Sequence, residues 1–170
     1  MDRDGVINRA MVRAGRPYPP ANMSEMEILP GVPEALESLH KTGYLLIVVT
    51  NQPDVARGII SQPVVEEMNR YLASCLPIDE FRTCFHDTVD HCSCRKPSPG
   101  SLIDAAALHG IDLRKSFMVG DRWRDVEAGT RAGCRTIFID CGYAEKQPEQ
   151  FDYRVGSLTE AVSIILEGGK

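Results

Sequence analysis

The sequence lacks the features that mark several broad classes of protein. No apolar run approaches the ~18–20 residues of a membrane-spanning helix, and the start does not have the pattern of a secretory signal. There is no run of basic residues, and the net charge of −5 disfavours a nucleic-acid surface. The 170 residues also contain no repeats and no convincing linker. We therefore expect one cytoplasmic, monomeric domain without a membrane or nucleic-acid partner.

Cysteine is present six times, but its distribution argues against a disulfide framework. Cys84, Cys92 and Cys94 crowd around His86, whereas the other three cysteines are scattered. Three thiolates and one imidazole are a complete tetrahedral set for Zn²⁺, with no position left for water. The cluster therefore indicates a structural zinc site, and the alternative is chance clustering in a loop.

The first eight residues contain the most informative pattern in the chain. Asp2 and Asp4 are two positions apart, and Gly5 follows them. Residues i and i+2 of an extended segment point to the same side, so both carboxylates can face one phosphate. Such a pair can serve as a nucleophile and a proton shuttle.

The apolar periodicity predicts strands that alternate with helices. The continuous apolar run 44–49 is typical of a strand buried in a parallel sheet, and two more strands are predicted at 116–119 and 135–139. Helices are predicted to begin near Gly31, Ser61, Ser98 and Trp123 and at 158–167, while 9–29 reads as a long loop near the site. This alternation predicts an open α/β sheet whose ligand site lies outside the C-terminal strand ends.

Four short motifs occur in a fixed order. They are Asp2-Arg3-Asp4-Gly5, Thr50-Asn51-Gln52, Arg95-Lys96-Pro97, and Gly120-Asp121 with Asp125 beyond it. In this order and spacing the chain resembles the haloacid dehalogenase superfamily of phosphohydrolases over essentially its whole length. The resemblance implies a single domain, 1–170, with a Rossmann-like three-layer α/β/α fold.

The resemblance assigns a role to each motif, and the chemistry of phosphoryl transfer supports those roles. Asp2 would be the nucleophile that forms an aspartyl-phosphate, and Asp4 would protonate the leaving alkoxide and then deprotonate water. Lys96 would supply positive charge, while Thr50 and the amide of Asn51 would donate hydrogen bonds to the phosphoryl oxygens.

Oxygen ligands from the same motifs favour Mg²⁺. Asp2 and Asp121 supply carboxylates, and the backbone carbonyl of Asp4 can supply a third ligand. Asp125 lies one helical turn beyond Asp121, so it could hold a metal-bound water or orient Lys96. It could equally be an N-terminal helix carboxylate that the helix dipole favours.

Other residues of the motifs are predicted to bind the substrate, a small phosphorylated sugar. These are Asn51, Gln52, Arg95 and Arg122. By resemblance, Arg95 would bind the distal phosphate of a bisphosphate with help from Arg122, since guanidinium groups bind phosphates in a bidentate manner. A solvated helix face is the alternative for Arg122.

The zinc loop that ends in Arg95-Lys96-Pro97 resembles a narrow capless branch, the heptose-bisphosphate and histidinol-phosphate phosphatases. Ala56-Arg57-Gly58 favours the heptose enzymes, which act in heptose nucleotide precursor synthesis, whereas the short zinc loop has the compact spacing of the histidinol enzymes. Pro53-Asp54 departs from the small residues usual there. We favour removal of the 7-phosphate of a heptose 1,7-bisphosphate, with histidinol phosphate or a non-catalytic relative as alternatives.

The start of the chain departs from the family pattern. In the superfamily an apolar strand delivers the nucleophile, but here only Met1 precedes Asp2. We therefore expect the natural protein to begin several residues upstream, with a short apolar segment before Asp2.

Overall fold

A parallel β-sheet occupies the centre of the computed structural model, which describes residues 1–168. Its strands are β3 (Ile47–Asn51), β4 (Glu80–Cys84), β5 (Phe117–Gly120), β6 (Arg135–Ile139) and β7 (Tyr153–Val155). Strand β3 pairs with β4, and β6 lies between β5 and β7, with every pair parallel. A separate antiparallel hairpin precedes them in the chain and consists of β1 (Met11–Arg13) and β2 (Arg16–Tyr18).

Met1 and Asp2 join the two halves of the sheet. The Met1 ammonium group donates to the carbonyl of Ile47 at 2.9 Å, and the Val49 amide donates to the Met1 carbonyl at 2.8 Å. On the other side the Asp2 amide donates to the Val119 carbonyl at 2.9 Å. The order across the sheet is therefore β4, β3, Met1–Asp2, β5, β6, β7, which places Asp2 at its centre.

A cavity of about 340 Å³ lies beside Met1. Residues of both neighbouring strands line it, among them Ile47, Val49, Phe117 and Val119. The expectation of an apolar segment upstream of Met1 is not tested by this arrangement and stays a prediction.

Five helices cover the sheet. They are α1 (Val32–Lys41), α2 (Gln62–Cys75), α3 (Gly100–His109), α4 (Trp123–Ala132) and α5 (Leu158–Gly168). Helices α1, α2 and α5 share one buried cluster with the sheet, to which Leu36, Leu72 and Ile165 contribute. Helices α3 and α4 pack against each other, and α4 also packs on β5 and β6. No helix in the described part of the chain has the length and apolarity needed to cross a membrane.

The predicted helices form, but the strand pattern differs from the prediction. The strand predicted at 44–49 runs instead over Ile47–Asn51, because its partner β4 begins only at Glu80. Strands β4 and β7 were not predicted, since both contain polar residues and are only partly buried. The predicted loop 9–29 contains the β1–β2 hairpin.

The hairpin is fixed over the C-terminal edge of the sheet. Gly15 at its turn has a φ of +74°, and its carbonyl accepts a hydrogen bond from the amide of Ala144 at 2.7 Å. A Cβ on Gly15 would lie 2.8 Å from the Ala144 Cβ. A glycine is therefore required for the hairpin to contact the segment that follows β6.

Candidate active site

Four charged side chains meet at the C-terminal edge of the sheet. The Lys96 Nζ lies 2.8 Å from the Asp2 Oδ1 and 2.6 Å from the Asp125 Oδ1, and it donates to the Val49 carbonyl at 2.6 Å. The carboxylates of Asp2, Asp121 and Asp125 lie within 4.8 Å of one another. All four charged groups are buried. The structure therefore brings together residues that the sequence places more than a hundred positions apart.

Two glycines allow the carboxylates to approach so closely. Gly5 has a φ of +85°, and a Cβ at this position would lie 1.9 Å from the Asp121 Oδ2. At Gly120 a Cβ would lie 2.1 Å from the Cβ of Asp125. Any side chain at either position would push the acidic residues apart, since real Cβ contacts are not found below about 3 Å.

The buried cluster contains three carboxylates but only one ammonium group. Burial raises the pKa of Asp2 to about 6, and the negative charges of Asp125 and Asp4 raise it while Lys96 opposes them. Burial, followed by repulsion from Asp2 and Asp125, raises the pKa of Asp121 well above its usual range. Three carboxylates that face one ammonium group are the arrangement that a bound cation would stabilise.

Asp121 shows most directly that the cluster fits a metal ion. Neither of its carboxylate oxygens has a hydrogen-bond partner in good geometry within residues 1–168, although both are buried and the Tyr143 hydroxyl lies nearby. Leaving a buried charged group without a partner is costly. Carboxylate oxygens are the ligands that Mg²⁺ prefers, so the donor set of Asp2 and Asp121 fits this ion.

Asp4 is held by its neighbours rather than by the carboxylate cluster. Its carboxylate accepts from Arg3 Nε and Nη2 at 3.1 Å each, from Asn8 Nδ2 at 3.0 Å and from Gln52 Nε2 at 2.7 Å. Arg3 is fully buried and also donates to the Asn69 Oδ1 at 2.8 Å. This network was not predicted, because the long sequence separation of Asn69 and Gln52 hides it.

The segment Thr50-Asn51-Gln52 at the end of β3 orders the site in three ways. Thr50 lines the cleft, where its hydroxyl accepts from Gln52 Nε2 at 3.0 Å. Asn51 is paired with the backbone of Lys96, donating to its carbonyl at 2.9 Å and accepting from its amide at 3.1 Å. Gln52 is fully buried behind Asp4. The predicted substrate contacts of Asn51 and Gln52 stay predictions, and the observed contacts of both side chains are with other site residues.

The predicted zinc ligands come together in space. Sulfur–sulfur distances are 3.2 Å for Cys84–Cys94, 3.4 Å for Cys92–Cys94 and 3.7 Å for Cys84–Cys92. The His86 Nδ1 lies 3.4 Å from the Cys94 Sγ and 3.7 Å from the Cys84 Sγ. In a tetrahedral site with Zn–S bonds of about 2.3 Å, the sulfur atoms are roughly 3.8 Å apart. The four side chains therefore fit a closed structural zinc site.

The zinc loop is connected to the catalytic edge through Arg95 and Asp87. The Arg95 Nη1 donates to the carbonyl of His86 at 3.1 Å. Asp87 accepts from Arg57 Nε at 2.7 Å and Nη2 at 2.8 Å. Arg57 therefore ties the segment after β3 to the zinc loop, a role that the sequence did not reveal.

A cleft of about 280 Å³ opens above the carboxylates. Its wall combines acidic residues with arginines from four segments of the chain: Arg16, Arg57, Arg95, Arg122 and Arg124. Arg122 is bound through two nitrogens to the carboxylate of Glu145, with Nε to Oε1 at 2.8 Å. The hairpin residues Pro17 and Tyr18 form another part of the wall.

Comparison with known proteins agrees with this geometry. Residues 93–161 match the family model described as HAD-hydrolase-like. A D-glycero-beta-D-manno-heptose-1,7-bisphosphate 7-phosphatase of Rhodopseudomonas palustris is 35% identical over 78% of this chain and 77% of its own. Its counterpart in Pasteurella multocida is 31% identical over 97% and 94% of the two chains. The chain belongs to this phosphatase family. The resemblance drawn from the ordered motifs is thus confirmed.

A solved structure of a relative extends the likeness to three dimensions. The D,D-heptose 1,7-bisphosphate phosphatase of B. bronchiseptica, in complex with magnesium and phosphate, superposes with a TM-score of 0.83. It is 28% identical, and the alignment covers 98% of this chain and 96% of that one. The predicted haloacid dehalogenase fold is therefore confirmed.

Proposed function

We propose that the protein is a Mg²⁺-dependent phosphatase that removes the 7-phosphate of D-glycero-D-manno-heptose 1,7-bisphosphate. The observation that carries the proposal is the buried cluster in which Asp2 contacts Lys96 and lies beside Asp121, whose oxygens make no hydrogen bond of good geometry within residues 1–168. The substrate named for the Rhodopseudomonas and Pasteurella relatives supports the choice of sugar.

In the first step an oxygen of Asp2 attacks the phosphorus atom, and the bond between phosphorus and the sugar oxygen breaks. Asp4 transfers a proton to the leaving alkoxide, which departs as the sugar hydroxyl. Lys96 and the Thr50 hydroxyl stabilise charge on the transferring group, since phosphoryl transfer depends mainly on positioning and electrostatics. The product of this step is an aspartyl-phosphate on Asp2.

In the second step a water molecule attacks the phosphorus atom of the aspartyl-phosphate. Asp4, now a carboxylate, accepts the proton of the water, and the bond to Asp2 breaks to release inorganic phosphate. The hydrogen bonds from Arg3, Asn8 and Gln52 fix the position of the Asp4 side chain in the site. Both residues return to their initial states.

Two metal ions are part of the proposal. Asp2, Asp121 and the backbone carbonyl of Asp4 would hold Mg²⁺, which supplies positive charge that offsets repulsion between the phosphate and the carboxylates. Cys84, His86, Cys92 and Cys94 would hold Zn²⁺ in a structural role. Because Lys96 follows Cys94 by two residues, the zinc loop would help to fix the phosphate-binding lysine.

The arginines of the cleft favour a bisphosphate over histidinol phosphate. Arg95 and Arg124 line the cleft together with Asp2. A second phosphate would attract these guanidinium groups, whereas the ammonium group of histidinol phosphate would be repelled. Histidinol phosphate is therefore the weaker candidate.

The cellular compartment and the oligomeric state of the protein are also proposed. All six cysteines are free in the structure, which is the state expected in a reducing compartment. We propose a cytoplasmic monomer. Light scattering of the purified protein with Mg²⁺ and zinc should give the mass of a monomer, and the mass of a dimer would contradict the proposed monomer.

The test is phosphate release from four substrates: both anomers of the heptose 1,7-bisphosphate, histidinol phosphate and an aryl phosphate. We expect a heptose bisphosphate to have the highest kcat/KM and activity to require Mg²⁺. Asp2→Asn should lower kcat by on the order of 10³-fold or more, because the nucleophile is lost. Asp104→Asn, an exposed aspartate on α3, is the matched control and should behave as wild type.

A higher kcat/KM for histidinol phosphate than for either heptose bisphosphate would favour the second candidate, a histidinol-phosphate phosphatase. Asp2→Asn with wild-type activity would contradict the mechanism. Activity unchanged after removal of Mg²⁺ would contradict the role of the carboxylate cluster.

A further inference from the structure

Three arginines at the cleft differ in how their charges are compensated. Arg122 has a dedicated partner, because both of its hydrogen-bonding nitrogens bind the carboxylate of Glu145. Arg95 is 3.8 Å from Asp87, a carboxylate that Arg57 already binds at 2.7 and 2.8 Å. The positive charge of Arg95 is thus only weakly compensated.

Arg124 has the least compensation of the three. Within residues 1–168 no carboxylate lies at ion-pair distance from its guanidinium group, which stacks instead on the Trp123 ring at 5.1 Å from the centroid. The group is half-buried and lines the same cleft as Asp2. Burial lowers its pKa, and the nearby positive charges of Arg122 and Arg95 lower it further, while the more weakly acting charges of Glu145 and Asp125 oppose this only in part.

The position of Arg124 in its helix adds a second cost. It is the second residue of α4, where the positive end of the helix dipole disfavours a cation. A half-buried cation beside two other cations at a helix N-terminus is unfavourable unless an anion binds there. The reacting phosphate has its own partners in Lys96 and Thr50, so this arginine is free to bind another group.

We propose that Arg124, together with Arg95, binds the phosphate of the substrate that is not transferred, and that Glu145 holds Arg122 away from this role. The inference rests on the proposed function and deepens it by assigning a specificity-determining residue. Two guanidinium groups without full carboxylate partners provide the bidentate donors that a phosphate dianion accepts. A substrate with one phosphate would leave both uncompensated.

The test compares Arg124→Ala on two substrates that share the reacting phosphate. These are the heptose 1,7-bisphosphate and the heptose 7-phosphate. We expect kcat/KM to fall about 10- to 100-fold for the bisphosphate, the effect of losing hydrogen bonds to a charged group, and less than about threefold for the monophosphate. Arg124→Lys keeps the charge without the bidentate geometry and should show an intermediate loss on the bisphosphate alone.

Two further variants separate recognition from a general effect. Arg114→Ala changes an exposed arginine outside the cleft and should leave both substrates unaffected. Arg122→Ala removes a wall residue, and we expect it to affect the two substrates equally. Inhibition by the product, heptose 1-phosphate, gives a binding measurement without turnover, and its inhibition constant should rise with Arg124→Ala.

Arg124→Ala and wild type are also compared on fructose 1,6-bisphosphate and fructose 6-phosphate. This second pair tests the role of Arg124 without relying on a heptose. If the heptose sugar is wrong, the proposed function fails in the substrate panel, while a selective loss on the fructose bisphosphate still supports the role of Arg124. Equal losses on the bisphosphate and monophosphate of each pair, or no loss on either, would overturn the inference. An unchanged melting temperature of Arg124→Ala shows that folding is intact.

Discussion

The carboxylate cluster and the cysteine cluster both gather possible metal-ligand atoms within 4.8 Å of one another, but they are built differently. The cysteine cluster comes from one short segment, 84–94, and three of its four residues are partly or fully exposed. The carboxylate cluster comes from opposite ends of the chain and is buried throughout. One can therefore form locally around its metal, whereas the other exists only once the sheet has formed.

The two clusters also differ in how they tolerate the absence of a metal. A thiol is neutral at pH 7 unless its pKa is lowered. Burial raises the pKa of Cys84 and Cys94, whereas at Cys92 burial is outweighed by hydrogen bonds that lower its pKa to about 7. At most about one of the three metal-free cysteines is therefore a thiolate, and they can lie together without strong repulsion. A carboxylic acid is normally ionised at that pH, and the buried cluster responds with the raised pKa of Asp2 and Asp121. Loss of zinc should therefore remove structure, while loss of Mg²⁺ should leave a folded but electrostatically unfavourable site.

The largest effect on stability is expected from the cysteine cluster. Cys92→Ser should abolish stoichiometric zinc binding and lower the free energy of unfolding by roughly 4 kcal/mol, about 10 °C in Tm, because binding energy at a structural zinc site is folding energy. Cys75→Ser, at an exposed cysteine in the last turn of α2, is the control. Zinc content by metal analysis and thermal unfolding decide the matter, and a zinc-free variant as stable as wild type would show that the loop needs no metal.

An intermediate effect is expected from the carboxylate cluster and depends on pH. The pKa of Asp2 is about 6 when folded, above the ordinary value of 3.8. The group therefore contributes stability that is fully present below about pH 4 and is lost as pH rises through 6. In protein freed of Mg²⁺ but not of zinc, wild type should lose on the order of 3 kcal/mol relative to Asp2→Asn over this range.

Chemical denaturation of both proteins at a series of pH values measures this difference, because effects on the zinc site cancel between them. Added Mg²⁺ should restore the stability of wild type more than that of Asp2→Asn. If the difference in the free energy of unfolding between the two proteins stays constant from pH 4 to pH 7, the surroundings of Asp2 do not destabilise its carboxylate form.

The smallest effect concerns the connection between the two regions. Arg57→Ala removes the ion pair with Asp87 and should change the free energy of unfolding by no more than about 1 kcal/mol, since the pair is partly exposed. Hydrogen exchange of residues 85–92 should nevertheless become faster. Lys41→Ala, which breaks the exposed pair with Glu37, is the control and should leave that segment unchanged.

Sequence patterns predicted the local features of the molecule well. The cysteine and histidine spacing predicted a cluster that the structure confirms as a possible metal site, and the helices follow their apolar periodicity. The order of the four motifs indicated Asp2, Lys96 and Asp121 as neighbours, because parallel strands place their C-terminal ends at one edge. The short strands β4 and β7 were not predicted, since their residues are polar and only partly buried.

Contacts between distant segments were beyond the reach of sequence patterns. Asp125 was open between a role at the helix N-terminus and a role beside Lys96, and the structure shows both. Its Oδ1 lies 2.6 Å from the Lys96 Nζ, and its Oδ2 accepts a hydrogen bond from the amide of Arg122 at 3.0 Å. The sequence did not indicate that Arg3 and Gln52 hold Asp4 or that Asn69 binds Arg3. It also did not indicate that Glu145 binds Arg122. The long-range contacts among these join elements whose relative placement depends on the whole sheet.

Residue types and their spacing already define which chemical groups this protein can use: two aspartates in the first turn, a threonine and a lysine for phosphate, and four side chains suited to zinc. Residue type and spacing fix these properties because they depend on bonds along the chain. Which charges are compensated depends on how the elements pack in three dimensions. The structure gives Arg122 a carboxylate partner and shows none for Arg124 within residues 1–168, because burial and through-space distance, rather than sequence position, govern electrostatic energy.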